Sequence, residues 1–354
     1  MQLFEFRTSV EFEQSMRGFY RSDPLFKNNK SGTFRIVCNP RGAFYQNTAQ
    51  RMIGVSDRGE TLCQCVLIKR KAYDKVSVAF FEAKPNATDA VSLMMDAVAV
   101  FAKTYGANQL DIALDGHCSY GVGFAQGASQ TPPLFGESYN PEYYNDFFYG
   151  DKNAVGFTSY TDSLANIAAR LDRLKHSSEI TVEPADFRNF NDSIRLYTAL
   201  CNSIFSNHRF CFYREEAEDL ELFSGMKPLL SPHNLLFAKK DNQTIGFLLM
   251  YPDFNELVPA GGGAGVGTFI QHKVLRRPIN TMKIVQIGVL PEFQSGRAIV
   301  QLFAEAIRLT RLHNPSINNV VSSWILDENR RSMSMVSQLA PKIHRRFFAY
   351  EKEV

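Results

Sequence analysis

The clearest architectural signal in this chain lies in residues 283–312, KIVQIGVLPEFQSGRAIVQLFAEAIRLTRL. The segment opens with an apolar run typical of a strand, and Pro291 ends that strand because its ring removes a backbone donor. After a short polar loop, apolar residues recur at helical spacing, at Ile299, Leu302, Phe303, Ala306 and Leu309. The pattern predicts a strand, a tight loop and an amphipathic helix in succession.

The loop and the start of this helix suit an anion. Backbone N–H groups in the first turn of a helix lack intrahelical partners, and the helix dipole adds partial positive charge. Gly288, inside the strand, further predicts a β-bulge that opens the sheet beside it. We expect the donors to come from the backbone of Gln294, Ser295, Gly296, Arg297 and Ala298.

The segment resembles the pyrophosphate loop of the GNAT superfamily of acyl-CoA-dependent N-acyltransferases. In that family a strand ending in Val-x-Pro leads to Gln/Arg-x-x-Gly-x-Gly/Ala and to a helix that carries a leucine. Arg297 stands where the family has glycine, and Ile299 stands where it has glycine or alanine. Gly296 and Ala298 lie one residue before these positions. The positions in register are Val289, Pro291, Gln294 and Leu302.

The order of the predicted elements repeats, which indicates two copies of one α/β unit with a mixed sheet. Residues 180–201, ITVEPADFRNFNDSIRLYTALC, repeat the strand–helix opening of residues 3–20, LFEFRTSVEFEQSMRGFY. We place the domains at 1–176 and 177–354. The second domain resembles the GNAT fold through nearly its whole length. The first resembles it without a glycine loop, which implies a domain that has lost the cofactor and shapes the acceptor site.

Tandem domains of this kind resemble N-myristoyltransferases and the peptidoglycan Fem transferases. The whole chain resembles bacterial two-domain GNAT proteins, a group that includes bacterial ceramide synthases. The resemblance implies direct attack of an amine on the thioester of acyl-CoA, which serves as co-substrate, without a metal. It places the oxyanion donors on the backbone around Ile287 and Val289, and it gives Asn329 a contact with pantetheine. Asn329 suits a helix cap equally well.

The reaction also requires the amine to lose a proton and the thiolate to gain one. GNAT enzymes often carry glutamate on the central strand, where this chain has Gln286, and an amide is not a base. The candidates for the base are Glu328 at the start of a helix and His117 in the irregular loop 115–141. Tyr144, after that loop, could donate to the thiolate or hold the acceptor. A first-turn acid that complements the helix dipole explains Glu328 equally, and core packing explains Tyr144.

Composition narrows the class of protein. Of the 354 residues, 45% are hydrophobic and 21% charged, which is ordinary for a globular protein, and no apolar run reaches the length of about 18 residues that a membrane span needs. The N-terminus has acids where a signal peptide has basic residues, so we expect a cytoplasmic protein. A net charge of +3 argues against nucleic acid and against transfer from aminoacyl-tRNA.

Two functions stay open. The 29 phenylalanines favour a long-chain acyl group or a lipid-like amine acceptor, and leave peripheral membrane contact open. The alternative is a non-catalytic protein that binds or senses a ligand, because Arg297 replaces a loop glycine and Gln286 replaces the strand glutamate. The sequence does not indicate the oligomeric state.

Local patterns give further expectations. Residues 10–20 and 89–105 are predicted helices, residues 33–37 a strand, and Asp241-Asn242 the turn of a hairpin. The stretch 261–267, GGGAGVG, lacks the Lys-Ser/Thr of a P-loop, so we expect a flexible hairpin connection there. Six dispersed cysteines indicate reduced thiols, and the histidine spacing indicates no metal site.

Overall fold

The computed structural model describes residues 1–127, 131–148, 153–174, 179–294 and 297–354. Backbone contacts divide the chain into two compact units, each with a mixed α/β architecture. The N-terminal unit comprises Met1–Phe157, Val258–Gly263 and Arg345–Val354. The C-terminal unit comprises Thr158–Leu257 and Ala264–His344.

The strands of the described ranges are given first. They are β1 (Gln2–Glu5), β2 (Thr48–Asp57), β3 (Glu60–Arg70), β4 (Lys75–Ala83), β5 (Gln109–Ile112), β6 (Phe124–Gln126), β7 (Ala154–Ser163), β8 (Thr181–Pro184), β9 (Leu235–Lys240), β10 (Gln243–Pro252), β11 (Thr281–Val289), β12 (Asn319–Ser322), β13 (Ile325–Leu326) and β14 (Lys342–Glu353).

The α-helices cover the apolar faces of these strands. They are α1 (Ser9–Gly18), α2 (Lys30–Val37), α3 (Ala43–Gln46), α4 (Thr88–Thr104), α5 (Leu164–Leu171), α6 (Phe190–Ile204), α7 (Glu216–Met226), α8 (Val266–Phe269), α9 (Arg297–His313) and α10 (Arg330–Leu339). Among the helices of the described ranges, none is long and apolar enough to cross a membrane.

The N-terminal unit contains the strand order β1-β2-β3-β4-β5-β14. The pairing of β4 with β5 is parallel, and the other pairings whose register is recorded in this order are antiparallel. Helix α4 packs on this sheet through Val91, Met94, Val98 and Phe101, which recur at helical spacing and belong to one buried cluster. The core of the unit therefore lies between α4 and β2–β5.

The C-terminal unit repeats this plan with the order β7-β12-β11-β10-β9-β8. Strands β11 and β12 are parallel, and the other pairings are antiparallel. Helix α9 packs against the sheet with Leu302, Ala306 and Leu309 in a second buried cluster. Helix α6 contacts β10 and β11, and its own partner is α7.

The two compact units do not coincide with the predicted domains 1–176 and 177–354. Strand β7 comes from the N-terminal half of the sequence, yet from Thr158 onward it belongs to the C-terminal unit, where it pairs with β12. Strand β14 ends the chain, yet from Arg345 onward it belongs to the N-terminal unit, where it pairs with β5. Each unit therefore obtains a strand from the other half of the sequence, which a linear reading of the repeat does not show.

Three predictions of local secondary structure can be compared with the fold. The hairpin between β9 and β10 is confirmed, and both Asp241 (φ 49°) and Asn242 (φ 63°) adopt the left-handed conformation that a tight hairpin turn uses. The strand expected at 33–37 is wrong, because Phe34 and Val37 share one buried face of α2. The stretch 261–267 lies in the connection between the antiparallel strands β10 and β11, but α8 begins within it at Val266 and leads into a π-helical turn at Ile270–Val274.

Candidate functional site

Strands β11 and β12 separate along their length. Their parallel register runs from Thr281 opposite Asn319 to Ile284 opposite Ser322, and a last hydrogen bond joins the Ser323 N–H to the Ile284 carbonyl at 2.6 Å. Residues 285–289 of β11 then continue along β10 alone, within the described part of the chain. Beyond this bond, within the described residues, β11 has no recorded pairing with β12, and the region beside its unpaired edge is called the gap below.

A β-bulge lies at the start of this gap. Leu249 of β10 pairs with Gln286, whereas the next residue, Met250, pairs with Ile284, so Val285 is the extra residue. The bulge is thus present in β11 but three residues before Gly288, where we expected it. Gly288 has another reason to lack a side chain: a Cβ there would lie 2.9 Å from Cγ2 of Ile204 at the end of α6.

The predicted anion loop follows β11. Pro291–Phe293 form a 3-10 turn, and α9 begins at Arg297. Two of the expected backbone donors, Ser295 and Gly296, lie outside the described residues. Ala298 is buried against the core, and the Arg297 side chain is exposed.

Among the described residues, a guanidinium that contacts this loop is that of Arg331. Arg331 lies in the first turn of α10 and donates to Gln294 Oε1 at 3.0 Å and to the Gln294 carbonyl. The Gln294 side chain in turn donates to the Val289 carbonyl at 3.1 Å. The loop is therefore held between the end of β11 and the start of α10.

Gln286 faces α6 at the edge of the gap. The Tyr197 hydroxyl donates to Gln286 Oε1, and Cys201 Sγ lies 3.7 Å from the same oxygen. Burial raises the pKa of Tyr197 well above its usual range, so its hydroxyl stays protonated. The side chain at the position of the strand glutamate is therefore a fixed, neutral amide. The predicted oxyanion positions, Ile287 and Val289, pack against the cluster around α9.

The segment after α6 adds groups that sequence reasoning had not assigned to the site. The Phe205 ring would lie 3.2 Å from a Cβ on Gly288, and the centroid of the His208 ring lies 6.3 Å from that of Phe205. The His208 ring is in turn 5.9 Å from Trp324, which follows the end of β12. These three rings span from β11 to the turn after β12. The signal in the sequence is the density of aromatic residues in 205–213, FSNHRFCFY.

Glu328 and Asn329 both lie beside this part of the C-terminal unit. The Arg209 guanidinium donates to Glu328 Oε1 at 2.7 Å, and the Glu328 side chain is 64% exposed. Asn329 caps α10 by accepting the Ser332 N–H at 3.1 Å. The structure thus shows Asn329 as the helix cap, which was one of its two predicted roles. The Glu328 carboxylate forms an ion pair with Arg209.

Tyr144 lies in the core of the N-terminal unit. Its hydroxyl donates to Glu82 Oε2 at 2.8 Å and accepts the Ala83 N–H at 2.9 Å. Tyr20 donates to the same carboxylate oxygen at 2.5 Å, and Lys30 reaches Oε1 at 3.1 Å. Tyr144 is fully buried, and its hydroxyl both donates and accepts a hydrogen bond within the core. These surroundings are those of a core packing residue.

His117 is also buried in the N-terminal unit. Its exposed fraction is 2%, and its Nδ1 accepts the Ser119 N–H at 3.0 Å. Cys118 Sγ lies 3.7 Å from the same nitrogen. The three predicted catalytic side chains therefore have different partners. Tyr144 and His117 lie in the N-terminal unit, and Glu328 lies in the C-terminal unit.

The N-terminal unit has a similar end of parallel pairing, where one of its own side chains binds the bulge. The parallel register of β4 and β5 ends at Val78 opposite Ile112, and β4 carries a bulge at Phe80, whose φ is 48°. The Phe80 N–H donates to Asp115 Oδ1 at 2.7 Å. A carboxylate of the chain therefore occupies the donor at the bulge. The strand-to-helix connection is also shorter here, residues 84–87 against 290–296.

Asp115 makes the stability of this unit depend on pH. Burial raises its pKa from 3.8 to about 6, opposed by Lys30 and assisted by the charge of Glu82. Because the folded chain favours the protonated carboxyl, the stability is fully present at a pH below the pKa of Asp115 in the unfolded chain. This stability is lost as the pH rises through the pKa of Asp115 in the folded chain. We expect Asp115→Asn to reduce the loss of stability between about pH 4 and pH 7 by about 3 kcal/mol.

Urea unfolding at a series of pH values between these limits measures that change. Asp96→Asn, at an exposed position of α4, is the matched control. Equal pH slopes for wild type and Asp115→Asn would show that Asp115 ionises in the folded chain as it does in the unfolded one.

The amino-acid sequence is distantly similar to those of known proteins. No family model matches the chain. A bacterial ceramide synthase of Caulobacter vibrioides is 21% identical over 244 residues, which are 65% of this chain and 63% of that protein. The chain thus covers less than two thirds of that relative's length.

Solved structures align over almost the whole chain. A tandem GNAT protein from the clavulanic acid biosynthesis pathway, solved without AcCoA, superposes with a TM-score of 0.59 at 10% identity, covering 99% of this chain and 98% of that one. A probable N-acyltransferase of Enterococcus faecalis gives 0.56 at 11% identity, covering 100% of this chain and 73% of that one. Together with the paired units and their parted parallel strands, these superpositions show that the chain has the tandem GNAT fold.

Proposed function

We propose that the C-terminal unit transfers an acyl group from acyl-CoA to an amine. The observation that carries the proposal is the parting of β11 and β12 after Ile284, next to the loop that leads into α9. The pyrophosphate would bind the backbone at the start of α9, where N–H groups and the helix dipole favour an anion. The pantetheine arm would enter the gap, which brings the thioester to the open edge of residues 285–289.

The α6 face of the gap is suited to an apolar acyl chain. Phe205, Phe247 and Tyr197 are neighbours there, with ring centroids 6.4 Å apart for Phe205 and Phe247 and 4.9 Å apart for Tyr197 and Phe247. Of these rings Phe205 is half-buried and can contact a ligand, whereas Phe247 and Tyr197 are buried. We therefore infer that Phe205 would contact a long-chain acyl group, and that a lipid-like amine is the acceptor. The N-terminal unit, where Asp115 binds the bulge of β4, would contribute to holding the acceptor rather than to binding CoA.

A non-catalytic binding protein is the second candidate. It is favoured by Gln286, which is neutral and fixed by Tyr197, and by Arg331, whose guanidinium contacts the loop carbonyl of Gln294. A protein of this kind would bind acyl-CoA without releasing CoA. Turnover and binding must therefore be measured separately.

Release of free thiol from acetyl-, octanoyl- and palmitoyl-CoA tests the proposal, with a small primary amine and a long-chain amine as acceptors. Mass spectrometry of the products identifies the amide. We expect thiol release that depends on the amine and increases with acyl chain length. Binding of palmitoyl-CoA without thiol release for any acceptor would instead support the binding protein.

A further inference from the structure

The connection between β10 and β11 carries a helical segment with aliphatic side chains on its outer side. Helix α8 continues directly into the π-helical turn that ends at Val274. Val266, Ile270 and Val274 recur every four residues, so their side chains lie on one side of this segment. Together with Leu275, the next residue, they are between 43% and 77% exposed. We call these four side chains the apolar face.

The other side of the segment is fixed to the C-terminal unit by polar residues. The Gln271 side chain donates to the Leu257 carbonyl at 3.1 Å. The next residue, His272, places its ring centroid 5.2 Å from that of Phe254. Lys273 Nζ donates to the Leu230 carbonyl at 3.2 Å and to the Ser231 hydroxyl at 2.7 Å. These contacts hold the segment in the orientation that turns the apolar face outward.

This arrangement is the reverse of the usual one. A helix on the surface of a globular protein normally buries its apolar side chains and exposes its polar ones. Here Gln271, His272 and Lys273 are half-buried, whereas the apolar face is exposed. Aliphatic side chains that are exposed next to one another mark a surface that binds an apolar partner.

The charges beside the apolar face indicate what kind of partner fits. Arg276 and Arg277 follow it directly, and both are exposed. The Arg277 guanidinium donates to Gln271 Oε1 at 3.3 Å, which keeps it beside the helical segment. The exposed carboxylate of Glu256 accepts two successive backbone N–H groups where β11 begins, at 2.7 Å and 2.9 Å. Apolar side chains next to exposed guanidinium groups complement a bilayer surface, which offers both acyl chains and phosphate groups.

We propose that the apolar face, together with Arg276 and Arg277, docks the protein on a bilayer that contains anionic phospholipid. The four aliphatic side chains enter the boundary between head groups and acyl chains, and the guanidinium groups bind lipid phosphate. The segment lies along the surface, since none of the described helices is long and apolar enough to cross a membrane. Docking is independent of the acyl transfer proposed above, because it requires neither acyl-CoA nor turnover.

Co-sedimentation of the full chain with vesicles tests the proposal. One set of vesicles is phosphatidylcholine alone, and the other is phosphatidylcholine mixed with phosphatidylglycerol. We expect tighter binding to the mixed vesicles, weakened by salt. Ile270→Ser and Val274→Ser should each lower the partition coefficient by about tenfold, because an aliphatic side chain no longer leaves water. Arg276→Gln and Arg277→Gln should each lower it by about fivefold, on the mixed vesicles only.

The N-terminal unit offers a matched control for each kind of change. Val100 of α4 is 65% exposed, close to the 63% of Val274, so Val100→Ser removes an equally exposed aliphatic side chain. Arg58 is an exposed arginine with a φ of 48°, and Arg276 has a φ of 49°, so Arg58→Gln removes a charge from the same backbone conformation. Both controls should bind vesicles as the wild type does.

Three results would overturn docking by the apolar face. The first is a wild-type protein that binds neither set of vesicles. The second is binding that Ile270→Ser and Val274→Ser leave unchanged, which would place the lipid on another surface. The third is a dimer, detected by sedimentation equilibrium, that Ile270→Ser dissociates while vesicles bind neither protein, which would assign the apolar face to a second copy of the chain. None of these results alters thiol release from acyl-CoA, so the two proposals fail separately.

Discussion

Asp219→Ala is expected to lower the free energy of unfolding of the C-terminal unit by about 3–5 kcal/mol. Asp219 pairs with Arg214, and their side chains are only 1% and 5% exposed. The Thr198 hydroxyl of α6 also donates to the Asp219 carboxylate at 2.6 Å. Removal of the carboxylate takes the recorded counter-charge from a buried guanidinium. It also takes one of two acceptors from the Thr198 hydroxyl, which lies 2.9 Å from the Ile194 carbonyl as well.

Urea unfolding measures this loss, and a surface pair provides the control. Asp192→Ala removes the partner of Arg195, in an ion pair whose side chains are 73% and 47% exposed, so we expect a change within about 1 kcal/mol. Equal effects of the two substitutions would contradict the buried pair.

Glu82→Ala is expected to destabilise the N-terminal unit by a similar amount, about 3–5 kcal/mol. The Glu82 carboxylate is fully buried and accepts hydrogen bonds from Tyr20, Tyr144 and Lys30. Its removal leaves one buried ammonium and two buried hydroxyls without this acceptor. The same change opens the space beside the bulge of β4.

Thermal and urea unfolding of Glu82→Ala, compared with Glu60→Ala, measure the effect. Glu60 pairs with Lys84 on the surface, with its side chain 65% exposed, so its removal should cost little. A Glu82→Ala protein as stable as Glu60→Ala would show that water reaches the cluster and replaces the carboxylate.

The sequence predicted the GNAT fold because the signals for it are local. The strand, Pro291 and the amphipathic spacing of α9 lie within one segment, and the tight turn at Asp241-Asn242 follows from residue type alone. Helix α1 begins at Ser9, one residue before the predicted start at Val10, because the Thr8 side chain supplies the cap.

The rest of the site depends on contacts that are distant in sequence. For Tyr144 both a role at the substrate and core packing were open, and in the fold it binds Glu82, 62 residues away. The Glu328 carboxylate is paired with Arg209, 119 residues away, and Gln286 with Tyr197, 89 residues away. Pairings of this kind leave no periodicity in the sequence. His208 was missed for the same reason, since only the folded chain brings it between Phe205 and Trp324.

The bulge in β11 shows the limit of a residue-type argument. Gly288 indicated a bulge, but the register places the extra residue at Val285. Glycine is required at 288 because α6 approaches β11 there, and at 246 because a Cβ would lie 2.6 Å from the Gly288 carbonyl oxygen. Both a bulge and a close approach favour glycine, so the residue alone does not distinguish them.

Titration calorimetry of the full chain with palmitoyl-CoA, acetyl-CoA and desulfo-CoA shows most directly whether the gap between β11 and β12 admits an acyl-CoA. We expect saturable binding of all three, because each carries the pyrophosphate that the start of α9 would hold. The affinity should be higher for palmitoyl-CoA than for acetyl-CoA, because burial of the acyl chain adds about 0.8 kcal/mol for each CH₂ group. Absence of binding for all three ligands would contradict a cofactor site in the C-terminal unit and leave only the tandem GNAT fold.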